Sequence, residues 1–389
     1  MVFNRTYLAG LALLALASTA ARAGDILDPA AFASSGVLDL TSGAYVIDTS
    51  GGAGGAPILT GPSVAITGST FAQGGAFDST IGVLDFSNVT IGAGVTITVT
   101  GANPLALLSR GSEVLSGQIL ANGGGGAPNV GATAGAGGAG GAGAGAGGAG
   151  GPAYYYPGAA GGGPGGGPVT GAGLSEDSFG AGGGYGGAGG SPFFAPLTVS
   201  PTYGDLATSL LAGSGGSGAG GNFFDPAGAG GGGGGGALEF AATLGVQTAA
   251  STFISANGGA GATEQQIVGY TGGGGSGGGI IFAAPSVSVT GYGDIVAEGG
   301  FSGGGGGRIL FLTGAGGLTD SGIPVTTVAG LGGTAQVAAA LYGADGTIDI
   351  GLLPTTSGGV PEPAAWSVVL LGLAVVGHRL RRRQRANAC

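Results

Sequence analysis

Ile119-Leu120-Ala121-Asn122-Gly123-Gly124, Ile254-Ser255-Ala256-Asn257-Gly258-Gly259 and Ile295-Val296-Ala297-Glu298-Gly299-Gly300 share one pattern, Ile-x-Ala-(Asn/Glu)-Gly-Gly. Period-two alternation sends Ile and Ala to one face of a strand. The glycine pair then predicts a turn with φ > 0, where a Cβ would clash. The second and third copies lie 41 residues apart. Short apolar strands recur with them after glycine runs: Ala237-Leu238-Glu239-Phe240, Gly279-Ile280-Ile281-Phe282 and Arg308-Ile309-Leu310-Phe311. An earlier copy, Pro104 to Gly124, aligns without a gap on Ile280 to Gly300. No such unit can bury its apolar face alone, so stacked coils must supply both the ladder and the core, which predicts a β-solenoid.

Outward from this repeat the chain reads as further strands. Val89-Thr90-Ile91 and Val95-Thr96-Ile97-Thr98-Val99 alternate β-branched residues, with Gly92-Ala93-Gly94 expected as the turn between them. Val37-Leu38-Asp39-Leu40, Tyr45-Val46-Ile47, Ser63-Val64-Ala65-Ile66 and Val83-Leu84-Asp85-Phe86 are similar pieces, parted by Gly, Ser and Asp. The pattern resembles, at the level of architecture, the right-handed parallel β-helix of secreted surface proteins and polysaccharide-acting enzymes. A β-sandwich is the alternative, since short strands at even spacing also fit it.

Residues 123–236 are different material. Glycine supplies 48 of these 114 residues, and ordering so much of it costs more backbone entropy than its small side chains can offset. This predicts a mobile insertion looping out of the solenoid, tacked locally by Tyr154-Tyr155-Tyr156, Phe193-Phe194 and Phe223-Phe224. A glycine-rich polyproline-like bundle is the sharper alternative. Collagen is disfavoured because glycine keeps no strict third-position period.

Both ends read as processing segments. Arg5 precedes an apolar run from Tyr7 to Ala17, and Ala21-Arg22-Ala23 places small residues, Ala21 and Ala23, where a signal peptidase reads, so the mature chain is expected to begin at Gly24. At the other end stand Val360-Pro361-Glu362-Pro363, the apolar run Ala364 to Gly377, and a basic cluster of Arg379, Arg381, Arg382, Arg383 and Arg385. Fourteen apolar residues are short for a membrane span. Arginines on the flank decide for a transmembrane helix, because they snorkel to a headgroup layer and stop transfer.

This three-part tail resembles the PEP-CTERM sorting signal of exported Gram-negative proteins. The resemblance covers residues 360–389 and implies recognition and cleavage by exosortase, a membrane protease and transpeptidase, with delivery to the cell surface or exopolysaccharide matrix. Expected partners are signal peptidase and the Sec export machinery, exosortase, the membrane before processing, and exopolysaccharide as a candidate ligand. The chain thus divides into a signal peptide (1–23), N-terminal solenoid coils (24–122), the glycine-rich insertion (123–236), C-terminal coils (237–351), a linker (352–359) and the sorting signal (360–389).

Charge and residue inventory narrow the chemistry. Lysine is absent, and residues 24–359 hold two arginines, Arg110 and Arg308, against eighteen acids, a net of −16 that repels phosphate backbones and argues against nucleic-acid binding. Cys389 and His378, each the single residue of its type, lie in the tail. The body therefore has no disulfide, thiol catalyst, Ser/His/Asp triad or histidine zinc site. With so much glycine, nucleotide-binding Gly motifs arise by chance, and no lysine exists for a phosphate loop.

A carbohydrate-active enzyme, hydrolase or lyase, is the alternative to a structural or adhesive role, and it would rest on carboxylates. Asp39, Asp48, Asp320, Asp345 and Asp349 read as scattered turn formers or solvated positions, Glu176-Asp177 as solubilising charge, and Arg110 and Arg308 as solvent-facing or locally paired. Ice or glycan binding on a flat face would need an outward threonine ladder, for which Thr96 and Thr98 are too few. The expectation is a non-catalytic protein with no cofactor and no metal site.

Overall fold

The computed structural model describes residues 26–352 apart from 75–78, 155, 170–178, 191–198, 222–226, 264–270, 291–293, 316, 321–324 and 327–343. The expected leader and the sorting signal lie outside the described residues, as do Phe193, Phe194, Phe223, Phe224, Glu176 and Asp177.

The described chain is all-β. A first group of strands comprises β1 (Val37–Asp48), β2 (Ile58–Gly61), β3 (Val64–Thr67), β4 (Ser69–Gln73), β5 (Ser79–Phe86) and β6 (Asn88–Thr100). Strand triplets follow: β7 (Leu105–Ser109), β8 (Ser112–Leu115) and β9 (Gln118–Leu120), then β10 (Ala237–Ala242), β11 (Gly245–Thr248) and β12 (Phe253–Ser255). Next come β13 (Gly279–Ala284), β14 (Val287–Val289) and β15 (Asp294–Val296), then β16 (Arg308–Thr313), β17 (Leu318–Asp320) and β18 (Val325–Thr326), and finally β19 (Thr347–Leu352).

Each triplet pairs in parallel with the next, strand on corresponding strand. One sheet runs β5-β7-β10-β13-β16-β19; the other carries β8-β11-β14-β17 and β9-β12-β15-β18, joined where β6 pairs with β8 through its first half and β9 through its second. Among the named strands, antiparallel pairing occurs where β2 joins β1 and β3 and where β4 joins β5, near the start of the described residues. That arrangement departs from a β-sandwich of the immunoglobulin kind, whose sheets are antiparallel.

Register explains the repeat. Ile97, Ile119, Ile254 and Ile295 stand in one row, and Leu84, Leu107, Phe240, Phe282 and Phe311 in another. Both rows belong to a single apolar core with Ala121, Ala256 and Ala297. The rings of Phe282 stack on Phe240 and on Phe311, at 5.2 Å between centroids in each case. β7, β10 and β13 are buried along their length. Their opposite faces (Ala106, Leu108, Ala241, Ile281) pack under Leu27, Tyr185, Leu206, Leu210 and Leu211. Strands covered on both faces read as near-continuous apolar runs, which is why Gly279-Ile280-Ile281-Phe282 does not alternate.

Three local expectations are corrected. Gly92-Ala93-Gly94 does not break the chain: β6 runs through it as one bent strand, opposite a register shift in β1. The gapless alignment holds for Ile119 on Ile295, yet Leu105 rather than Pro104 shares a row with Ile280, because the corners between strands differ in length. The signature glycines are not positive-φ turns either, since none of Gly123, Gly124, Gly258, Gly259, Gly299 and Gly300 is left-handed. A Cβ at Gly123 would instead strike the carbonyl of Gly233, and one at Gly258 that of Gly275.

Those clashes point to the largest correction. Described glycine-rich segments are packed and hydrogen-bonded, where a mobile insertion was expected. Residues 121–127, 134–142, 144–151, 156–167, 212–221, 227–236, 256–262 and 271–278 run side by side and bond to one another at three-residue steps. Gly135, Gly138 and Gly141 donate to the carbonyls of Gly228, Gly231 and Gly234; Gly145, Gly148 and Gly151 donate to those of Gly213, Gly216 and Ala219. A three-residue period with bonds between segments is the signature of polyproline II strands.

Segment 227–236 lies at the centre of this bundle, bonded to six others. It donates to 121–127, 144–151 and 271–278, and accepts from 134–142, 212–221 and 256–262. Glycine offsets its lost entropy through contact: without Cβ atoms, backbones approach closely enough to satisfy each other's polar groups on every side. Segments 121–127 and 256–262 lead directly out of β9 and β12, and 227–236 and 271–278 lead into β10 and β13.

Candidate functional site

Among the described residues the two arginines are both engaged. Arg110 Nε lies 3.1 Å from Asp85 Oδ2, as local pairing predicts. Arg308 caps the ring of Tyr185, with its guanidinium carbon 5.5 Å from the centroid, and donates to the Tyr203 carbonyl at 3.3 Å. Tyr203 in turn donates to the Ala212 carbonyl and receives a bond from Ser214 Oγ at 2.9 Å. Burial pushes both tyrosine hydroxyls above their ordinary range. This cluster fastens the bundle to the outer face of β13 and β16.

Several acids serve turns. Asp28 Oδ1 accepts from Ala30 N at 2.9 Å, Asp48 Oδ1 from Ser50 N at 3.0 Å, and Asp205 Oδ1 from Ala207 N at 2.9 Å. Asp39, Asp345 and Asp349 are exposed, on β1, before β19 and on β19. The side chain of Asp320 lies outside the described residues. Among the described residues no group of three or more His, Cys, Asp or Glu could hold a metal ion, and no helix is long and apolar enough to cross a membrane.

The sequence reading missed two buried glutamates. Glu239, fully buried on β10, points with Ala237 and Ala241 away from the main core, and its Oε1 accepts from Leu27 N at 2.8 Å across 212 residues of chain. Glu113 on β8 points into the main core between Val89 and Val246 in register, and neither of its carboxyl oxygens finds a hydrogen-bond partner. Burial pushes the Glu113 carboxyl well above the ordinary carboxylate range, and Glu239 adds to the shift. Asp85 is also raised by burial, against the opposing pull of Arg110. Alternation in Ser112-Glu113-Val114-Leu115 was the available signal, since it places Glu113 on the face of Leu115.

General acid–base hydrolysis of a glycoside needs two carboxyls facing a substrate groove. Glu113 and Glu239 are instead closed off from solvent, one inside the core and one under Leu27. Thr96 and Thr98 face outward in mixed rows, Ala44-Thr96-Gln118-Phe253-Asp294 and Val46-Thr98-Leu120-Ser255-Val296. Neither row is a threonine ladder. The residues of the expected sorting and cleavage sites, Val360 to Pro363, the arginine cluster, Ala21 and Ala23, all lie outside the described residues. The chain matches no family model, no curated protein and no solved structure.

Proposed function

We propose that this protein is an exported, non-catalytic scaffold of the cell surface or extracellular matrix, a parallel β-helix braced by a polyproline II bundle. A leader ending at Ala23 directs export, and the tail from Val360 sorts it through exosortase. The observation that carries the structural reading is the continuity of backbone bonding: in-register triplets pass straight into glycine segments that pair with one another on every side. Such a body commits its sequence to backbone contact, and the acids described above cap turns, stand exposed at β1 and β19 or are buried. A three-part tail and an Ala-x-Ala leader support the sorting half.

Intact-mass measurement of the protein recovered from culture medium and from the cell envelope tests this. Expected is a chain that starts at Gly24 and has lost Trp366 and the arginine cluster. A cytosolic full-length chain would overturn the sorting half, and measurable polysaccharide cleavage by the purified body would overturn the non-catalytic half.

A further inference from the structure

The corners that end β9 and β12 share a reactive sequence. Asn122-Gly123 and Asn257-Gly258 are Asn-Gly pairs, and the corner after β15 has Glu298-Gly299 in their place. With 101 glycines in 389 residues, chance alone puts about two of the chain's eight asparagines before a glycine. Chance does not put both directly after the core alanines Ala121 and Ala256. A glycine after asparagine leaves the backbone nitrogen unhindered, free to reach the side-chain amide. That nitrogen bonds to Asn Cγ, the Cγ–Nδ2 bond breaks, and ammonia leaves with the proton the nitrogen gave up. Water then opens the five-membered imide at either carbonyl, giving aspartate or isoaspartate.

The coil stack holds both reacting groups, each time through one residue of the next coil. Asn257 N donates to Asn122 Oδ1 at 2.8 Å, and the Asn257 carbonyl accepts from Gly123 N at 2.8 Å. One coil on, Glu298 N donates to Asn257 Oδ1 at 2.7 Å, and the Glu298 carbonyl accepts from Gly258 N at 2.8 Å. Buried Ser255 adds a bond from its Oγ to Asn122 Oδ1 at 2.6 Å. Attack needs the glycine nitrogen to shed its proton and the amide to turn its carbon toward that nitrogen. A backbone carbonyl holds the proton and is no base, while donors from the next coil fix the amide plane. Space is short as well, since a Cβ at Gly123 or Gly258 would strike the carbonyl of Gly233 or Gly275.

We propose that Asn122-Gly123 and Asn257-Gly258 are fold-gated modification sites, inert while the coils are stacked and converted to aspartate or isoaspartate once they part. Conversion is a covalent, permanent record of opening. It adds a negative charge to each corner and, in the isoaspartate product, one extra carbon to the main chain. The neighbouring glycine segments leave no room for that carbon, so an opened and converted corner cannot return to its former register. Glu298 at the following corner has no amide to lose. Water is the one co-reactant, and the chemistry is the same wherever the cell delivers the protein.

Incubation of the intact protein at neutral pH, folded or in concentrated urea, followed by peptide mapping, tests this. Each conversion exchanges an amide for a carboxyl and shows in the fragment mass. A reaction that needs opening tracks the population of the open form, so both sites are expected to convert at least ~30-fold more slowly folded than in urea. Ser255→Ala removes one bond to Asn122 Oδ1 and none at Asn257. It is expected to speed conversion at Asn122 about two- to tenfold and to leave Asn257 as in wild type. A smaller ratio between urea and folded protein would overturn the proposal. So would equal acceleration at both corners in Ser255→Ala, or conversion at Asn122 unchanged or slowed by it, which would mean that the donors polarise the amide carbon instead of restraining it.

Discussion

At the scale of single residues, Glu113 carries the clearest energetic consequence. A carboxyl buried without a partner costs roughly 1–3 kcal/mol relative to a fitting apolar group. Its folded-state pKa is raised above the unfolded value, so the acid is best tolerated below that unfolded value, and stability is lost as pH rises through the folded pKa. Asp85 shifts in the same direction. We therefore expect urea unfolding to show a body more stable at pH 4 than at pH 7. Glu113→Leu should stabilise it at pH 7 by about 1–3 kcal/mol and flatten the dependence. A wild-type body that gains stability toward neutral pH would contradict the burial argument.

Elements differ in what their glycines are for. In segment 227–236 a Cβ on Gly230 would collide with the carbonyl of Ala136, a backbone group held in place by its own neighbours. Gly125, on the outer layer, would meet nothing nearer than the Ala260 carbonyl at 3.6 Å, an ordinary contact. Exposed Ala136, Ala139, Ala146 and Ala149 show the same rule from the other side: methyl groups occur at every third position where a segment faces water. Gly230→Ala is expected to destabilise the body by roughly 3 kcal/mol or more, as forced backbone shifts do. Gly125→Ala should stay within about 0.5 kcal/mol. Equal effects of the two in chemical denaturation would remove the close-packed account of the bundle.

For the whole body, the balance of buried groups is unusual. The strand core is apolar, but the bundle buries peptide groups against peptide groups, with Ala the commonest side chain among them. Exposing apolar surface raises the heat capacity of unfolding and exposing polar surface lowers it. Calorimetry should therefore give a heat-capacity change per residue below the ~12–15 cal/mol/K typical of globular proteins. A value in or above that range would mean the segments bury far more apolar surface than their composition allows.

Much of the strand architecture was legible beforehand. Ile-x-Ala spacing placed Ile119, Ile254 and Ile295 in one core row, and the shared phenylalanines aligned Phe240, Phe282 and Phe311, because period two fixes which face a residue occupies. The inward face of Glu113 was written in the alternation of Ser112 to Leu115, but the bonding of Glu239 to Leu27 and the seating of Arg308 over Tyr185 were not legible, since each joins residues distant in sequence. The state of the glycine-rich segments was undecided at that level for a deeper reason. Local sequence sets the entropy that glycine loses on ordering, while the bonds that offset it form between segments far apart in the chain, as between Gly123 and Asn257 or Ala344 and Ala188. Sequence determined the strand faces and the charge; tertiary structure alone decided that glycine would pack, because its small size has value only where another backbone lies alongside.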